Sequence, residues 1–265
     1  MTVAVGVAGV TGWTGRAVAE AVLAADDLTL VSGVSRSAAG KDLGQVWAGD
    51  ANGVPVVATV EEALEGVDVL VDYTSHAAVL GHTLTAIGRG VSVVVGSSGL
   101  TAADFGEIDA AARGKELGVI AAGNFSLSAS IAQVAATLAA RHMKSWEIVD
   151  YASAGKPDAP SGTARELAEL LGQVRQPEIE IPVVDTAGQS ETRGGTVAGV
   201  QVHAIRLPGF VLSTEVVFGL PDERLSIRHD AGSSAAPYVA GTLLAIRAVQ
   251  QRVGLTRGLS ELLLA

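Results

Sequence analysis

The sequence predicts an α/β protein: a Rossmann-like, doubly wound parallel-sheet domain plus a second α+β domain with a mixed, mainly antiparallel sheet. Three observations carry this. Over the first 123 residues, short β-branched runs alternate with Ala-rich helical segments, the pattern of a parallel sheet covered on both faces. Three glycines, Gly9, Gly12 and Gly15, lie where the first strand hands over to the first helix. After Asn124 the alternation stops, and from Val197 three strands follow one another with only turn signals between them.

Strands are expected at Thr2 to Val7, Leu28 to Val34, Val54 to Val57, Val67 to Tyr73, Ser92 to Val95 and Gly118 to Ala121. Helices are expected at Thr14 to Ala25, His76 to Arg89 and Ala102 to Leu117. A helix over Ser128 to Met143 and a strand over Ser145 to Ala152 open the second domain. A Gly/Pro/Ser loop from Ser153 to Gly162 leads into a short helix, Thr163 to Leu171. Val174 to Arg193 is polar and Pro-containing, a surface excursion. The last three strands are Val197 to Arg206, Val211 to Phe218 and Leu225 to His229, with turns at Pro208-Gly209 and Pro221-Asp222. A final helix, Pro237 to Val253, packs back on the first domain. The expected domains are therefore 1–123 with 236–265, and 124–235.

Bulk composition narrows the function classes. The chain has 265 residues, 48% of them hydrophobic and 17% charged, enough to bury full cores. A net charge of -10 disfavours nucleic acid and anionic membrane as partners. With no cysteine there is no disulfide or thiolate metal site, and no histidine pair has metal-binding spacing. No apolar run reaches the ~18 residues of a membrane span. The N-terminus carries no basic leader ahead of its first strand, so the expected location is the cytoplasm.

The segment Gly9-Val10-Thr11-Gly12-Trp13-Thr14-Gly15 reads as a phosphate-binding turn. Glycines let backbone N–H groups approach a pyrophosphate, and the following helix points its positive end at the same place. The spacing departs from the commoner G-x-G-x-x-G, and a glycine triplet in a Gly-rich chain acquires its meaning from lying between strand and helix. The second strand ends in Gly33-Val34-Ser35-Arg36-Ser37. An NAD site usually has a carboxylate here for the ribose 2′-hydroxyl. Ser35, Arg36 and Ser37 suit a 2′-phosphate instead, so NADPH is favoured over NADH. The competing reading of Arg36 is a solvated loop residue.

Four further segments make the chain similar to the dihydrodipicolinate reductase family of lysine and diaminopimelate biosynthesis. They are Asp72-Tyr73-Thr74, Gly96-Ser97-Ser98-Gly99, Gly123-Asn124-Phe125-Ser126 and Lys156-Pro157-Asp158-Ala159-Pro160-Ser161-Gly162-Thr163-Ala164. The stretch from Val202 through Arg206-Leu207-Pro208-Gly209 to Arg228-His229-Asp230 resembles its actinobacterial branch. The resemblance implies NADPH-dependent reduction of a small anionic cyclic imine carboxylate by a homotetramer assembled through the second-domain sheet. It places Tyr73, Thr74, Gly96, Ser98, Gly99, Asn124 and Phe125 beside the cofactor. Lys156 would be the active-site lysine, and Ser161, Gly162 and Thr163 would hold a substrate carboxylate. Ser161-Gly162-Thr163 also suits an anion on physical grounds, since it opens a predicted helix. A plain N-cap at Ser161 or Thr163 fits the same residues equally well.

The chain departs from the family at the substrate end. Ala152 and Ser153 occupy the places of a His-His pair, Gly232-Ser233-Ser234 lacks an expected Arg, and Ser213-Thr214 stands where His-Gln often precedes Glu215. Two alternatives follow: a paralogue reducing a different imine, or an inactive NADPH-binding relative. With the histidines gone, Lys156 is the best remaining acid, ahead of Tyr151, Asp158 and water. His203 and His229 are expected to be structural, and His76, His82 and His142 to be helical surface residues.

Overall fold

The structure, a computed structural model, describes residues 2–264. The chain forms two compact units, Met1–Leu127 with Ala235–Ala265, and Ser128–Ser234. In chain order the first unit contains β1 (Val3–Ala8), α1 (Trp13–Leu23), β2 (Leu28–Val34), α2 (Leu43–Val46), β3 (Val56–Val57), α3 (Val60–Ala63), β4 (Val69–Asp72), α4 (Val79–Gly88), β5 (Ser92–Val95), α5 (Ala102–Gly114) and β6 (Gly118–Ala121). The second contains α6 (Leu127–His142, its first residue counted with the first unit), β7 (Ser145–Ala152), α7 (Gly162–Val174), β8 (Gly195–Val197), β9 (Val200–Arg206), β10 (Leu212–Leu220) and β11 (Glu223–Ala231). The chain returns to the first unit with α8 (Ala236–Val249), β12 (Gly254–Arg257) and α9 (Ser260–Leu264).

The first unit is a seven-stranded sheet in the order β12-β6-β5-β4-β1-β2-β3, with every pairing parallel. Its apolar strands bury both faces because side chains alternate along them. Val5, Val7, Val69, Val71 and Ile120 share one core with α1 and α8 residues such as Val18, Val22, Ala245 and Ile246. Leu70, Val93, Val95 and Val119 face the other way, onto Val79, Ile87, Ile108 and Ala112 of α4 and α5. Thr59 with Glu62 and Thr101 with Asp104 make capping boxes that start α3 and α5.

The second unit is a five-stranded sheet, β11-β10-β7-β9-β8, antiparallel except for β7 with β9. Trp146, Ile148, Asp150 and Ala152 alternate onto its buried face. The first two pack in a core with Ala136, Ala140, Leu167 and Leu171 of α6 and α7.

Several expected elements differ. The single strand Val197 to Arg206 is a hairpin, because Ala198 (φ 49°) and Gly199 (φ 81°) both adopt the left-handed conformation of a tight two-residue turn. The last helix stops at Val249, and Gly254–Arg257 adds a parallel edge strand to β6, which its mixed composition hid. Helix α4 starts at Val79, leaving His76 in the preceding turn.

Phe218 is fully buried, with its ring 5.7 Å from Trp146. Replacing it by alanine leaves a cavity. Phe218→Ala is expected to lower stability by about 3–5 kcal/mol in urea unfolding followed by tryptophan fluorescence.

Candidate functional site

The turn after β1 is built so that only glycine fits. Gly9 adopts φ 83°, and a Cβ there would collide with the Tyr73 carbonyl. A Cβ on Gly15 would collide with the Gly9 carbonyl, so the first turn of α1 seats directly on the loop. Gly12 donates its N–H to Gly9 O at 2.8 Å and caps α1 without any side chain. The first-turn N–H groups around Trp13, Thr14 and Gly15 thus have no side-chain cap, the arrangement that takes an anion. Trp13 is 58% exposed, its ring edge-on to Tyr238 at 5.9 Å.

At the end of β2, Thr11 Oγ1 lies 3.0 Å from Ser35 Oγ, and Ser35 Oγ 3.3 Å from Ser37 Oγ. Arg36 is exposed beside this row of hydroxyls and enters no ion pair among the described residues. The turn, with its uncapped helix N-terminus, fits the pyrophosphate of a dinucleotide.

Asp72, the last residue of β4, is wholly buried. Its Oδ1 accepts from Ser97 Oγ (2.6 Å), Thr74 Oγ1 (2.8 Å) and Thr74 N (3.0 Å), and its Oδ2 lies 2.8 Å from His82 Nδ1. Burial pushes this carboxyl up, but His82, Ser97 and Thr74 together hold it below the usual carboxylate range. His82, partly exposed on α4, is therefore also the partner of a buried acid, a role its helical position did not suggest. The neighbouring Tyr73 ring leaves no room for a side chain on Gly96 and stands edge-on to Phe125 at 6.1 Å. Tyr73 Oη is 2.7 Å from Thr242 Oγ1, and burial raises the phenol's pKa. Phe125 is 1% exposed; Asn124 Oδ1 accepts Ser126 N at 2.8 Å and shapes the turn. Ser98 and Gly99 are exposed, Gly99 at φ 107° against His76. Contacts through Tyr73 and Thr74 thus link Gly9, Gly96, Ser97 and Phe125 within the first unit.

In the second unit, Asp150 anchors the Lys156–Thr163 segment. Fully buried on β7, it accepts Ser161 N and Ser161 Oγ, both at 2.7 Å, and Arg206 Nη2 at 2.7 Å. Arg206 Nη2 also donates to Asp158 O (2.8 Å), so the arginine holds the strand and the loop together. Ser161 is the N-cap of α7, accepting Ala164 N, and is 1% exposed. Its hydroxyl and N–H are both engaged inside the protein, which satisfies the capping reading. The N–H groups of Gly162 and Thr163 belong to the first helical turn, beyond reach of intrahelical acceptors. Lys156 Nζ pairs with Asp158 Oδ1 at 2.8 Å, and this lysine holds the Asp158 carboxyl below its usual range.

Neither alternative acid is suited to the task. Tyr151 donates its hydroxyl proton to Glu215 (2.9 Å) under the Arg228 guanidinium, and burial and Glu215 raise its pKa. It alternates with Asp150 along β7 and so faces the other side of the sheet. Asp158 is ionised beside Lys156. Ala152 is fully buried and Ser153 exposed.

His203 pairs with Glu147 at 2.7 Å, the structural role expected of it. His229 lines a cavity of about 20 Å³ with Gln133, Thr163 and Thr214, and burial lowers its pKa. Asp72, His82, Ser97, Asp150 and Arg206 were not among the predicted site residues. Asp150 had a usable signal: a carboxylate at the buried parity of an alternating strand needs partners. The partners themselves come from 11 and 56 residues away in sequence.

Two outcomes are expected. Arg206→Ala leaves the Asp150 carboxylate without its cation and should cost about 3–5 kcal/mol in denaturant unfolding. Asp72 contributes stability that is complete above the unfolded-state value of about 3.9 and is lost as pH falls through its lower folded value. Acid titration followed by circular dichroism should therefore show a shallower loss of stability in Asp72→Asn than in the parent chain.

The profile of the dihydrodipicolinate reductase N-terminus matches residues 3–125, and that of the dihydrodipicolinate reductase C-terminus matches residues 125–263. A 4-hydroxy-tetrahydrodipicolinate reductase from Moorella thermoacetica is 36% identical over 270 residues, covering 99% of this chain and 98% of its own. Another from a Mycobacterium species (strain KMS) is 37% identical over 260 residues, covering 98% of each. Among solved structures, a dipicolinate-bound dihydrodipicolinate reductase from Paenisporosarcina sp. TG-14 superposes with a TM-score of 0.81 at 26% identity, covering 98% of this chain and 99% of that one. An amine dehydrogenase from Mycobacterium smegmatis, at 16% identity and TM-score 0.69 over 97% of this chain and 95% of its own, shares the fold. With profiles that together span both units and relatives aligned from end to end, the chain belongs to the dihydrodipicolinate reductase family.

Proposed function

We propose that the chain is an NADPH-dependent 4-hydroxy-tetrahydrodipicolinate reductase serving lysine and diaminopimelate biosynthesis. The observation that carries this is the end-to-end match, at 36–37% identity, to relatives of that name. The first unit is the dinucleotide-binding domain and the second the substrate-binding and oligomerisation domain.

The cofactor, when bound, supplies the hydride; the protein contributes position and charge. Gly9, Thr11, Gly12, Trp13 and Thr14 receive the pyrophosphate through backbone N–H groups. Ser35, Arg36 and Ser37 take the 2′-phosphate, a reading supported by the absence of a carboxylate over residues 33–37. Tyr73, Thr74, Gly96, Ser98, Gly99, Asn124 and Phe125 line the nicotinamide half. Lys156 attracts the substrate carboxylate, with Asp158 as its resting counter-ion, while Ser161 sets the turn that presents the N–H groups of Gly162 and Thr163. Lys156 Nζ or a water delivers the proton, since Tyr151 and Asp158 are poor acids here.

We further infer a cytoplasmic homotetramer assembled through the open face of the second-unit sheet. That face carries a cavity of about 670 Å³ lined by Glu147, Val149, Ile179, Ile181, Arg193 and His203, with Ile181 58% exposed. No helix among the described residues is long and apolar enough to cross a membrane.

The test is NADPH oxidation with freshly generated substrate, alongside NADPH titration. Turnover is expected, with Lys156→Ala lowering kcat by about 10²-fold or more and Arg36→Ala weakening NADPH far more than NADH. NADPH binding without turnover would instead favour a relative acting on another imine, or none. Light scattering is expected to return a mass near four times 26.7 kDa.

A further inference from the structure

We propose that buried Asp72 is a positioning residue for the pyridine half of the cofactor, acting through Thr74 and Ser97; this rests on the cofactor reading above. Asp72 belongs to β4, in the middle of the parallel sheet; its Oδ1 and its carbonyl are committed to the loops leaving β4 and β5, and its Oδ2 to His82 of α4. The carbonyl accepts Gly96 N (2.9 Å) and Ser97 N (3.1 Å). The carboxylate accepts Ser97 Oγ, Thr74 Oγ1, Thr74 N and the ring of His82 from α4. Ser97 Oγ also accepts Thr74 N at 2.7 Å, cross-linking the two loops directly.

Two consequences follow. First, residues 73–74 and 96–97, which have no regular structure of their own, are held to one anchor by several short hydrogen bonds, most of them charge-assisted. Second, a carboxylate only accepts, so the hydroxyl protons of Thr74 and Ser97 point inward to it. Ser97 Oγ already accepts Thr74 N, and Thr74 Oγ1 lies 3.5 Å from His82 Nδ1, so whatever hydrogen-bonding capacity the two hydroxyls keep is acceptor capacity, the polarity that a carboxamide NH₂ requires. The adenosine end of the site, at Gly9–Gly15 and Ser35–Ser37, shares none of these bonds.

The experiment compares full-length parent, Asp72→Asn and Ser97→Ala for binding of two probes, NADPH and 2′,5′-ADP, which lacks the pyridine half. If Asp72 positions the pyridine half, both variants bind 2′,5′-ADP like the parent but lose about tenfold or more in NADPH affinity. Where Asp72→Asn does not fold, Ser97→Ala, which keeps the buried carboxylate, decides alone. Unchanged affinity for both probes, or equal loss of both, overturns the proposal. A parent chain that binds neither probe overturns the cofactor reading, and this inference with it.

Discussion

In each unit, the candidate residues hang on a carboxylate buried in a strand that lies inside its sheet. Asp72 closes β4 and gathers the loops after β4 and β5; Asp150 lies two residues before the end of β7 and gathers the loop that leads into α7. Burying a carboxylate is strongly unfavourable unless it is paired and fully hydrogen-bonded. That cost makes the device rigid: each lost donor exposes part of the desolvation penalty, so the loops cannot drift without a steep rise in energy. A loop held by exposed polar contacts alone would have no such restoring force.

The two anchors differ in how the charge is balanced. Asp72 is met mainly by hydroxyls, an amide N–H and one imidazole, and remains below its usual pKa in spite of burial. Asp150 is met by a guanidinium that also binds the loop carbonyl of Asp158. The first arrangement orients neutral groups toward whatever lies on the loops. The second ties strand to loop and leaves Lys156 tethered at the edge by Asp158.

The glycine turn after β1 follows a complementary logic, in which absence of side chain is the requirement. Gly9 and Gly15 interlock backbone to backbone, so neither position accepts a Cβ. The turn positions N–H groups by steric exclusion, whereas the aspartates position loops by charge.

Most of the architecture was legible in the sequence. Apolar runs alternating with helical segments implied the parallel sheet, and Ser145–Ala152 was legible as the strand that opens the second domain. These patterns are local, and burial of apolar surface enforces them wherever they occur. The glycine turn and the Lys156–Thr163 segment were equally local. The hairpin at Ala198–Gly199 and the edge strand Gly254–Arg257 were not, because backbone handedness at a non-glycine residue and an edge pairing leave little trace in composition. Nor were the partners of the buried acids: His82 looked like a surface residue of a helix, and Arg206 like one more strand residue. A carboxylate's need for donors can be read from its position in an alternating strand. Which residues, 10 to 56 positions away, supply them is decided only when the chain folds and brings them within hydrogen-bonding distance.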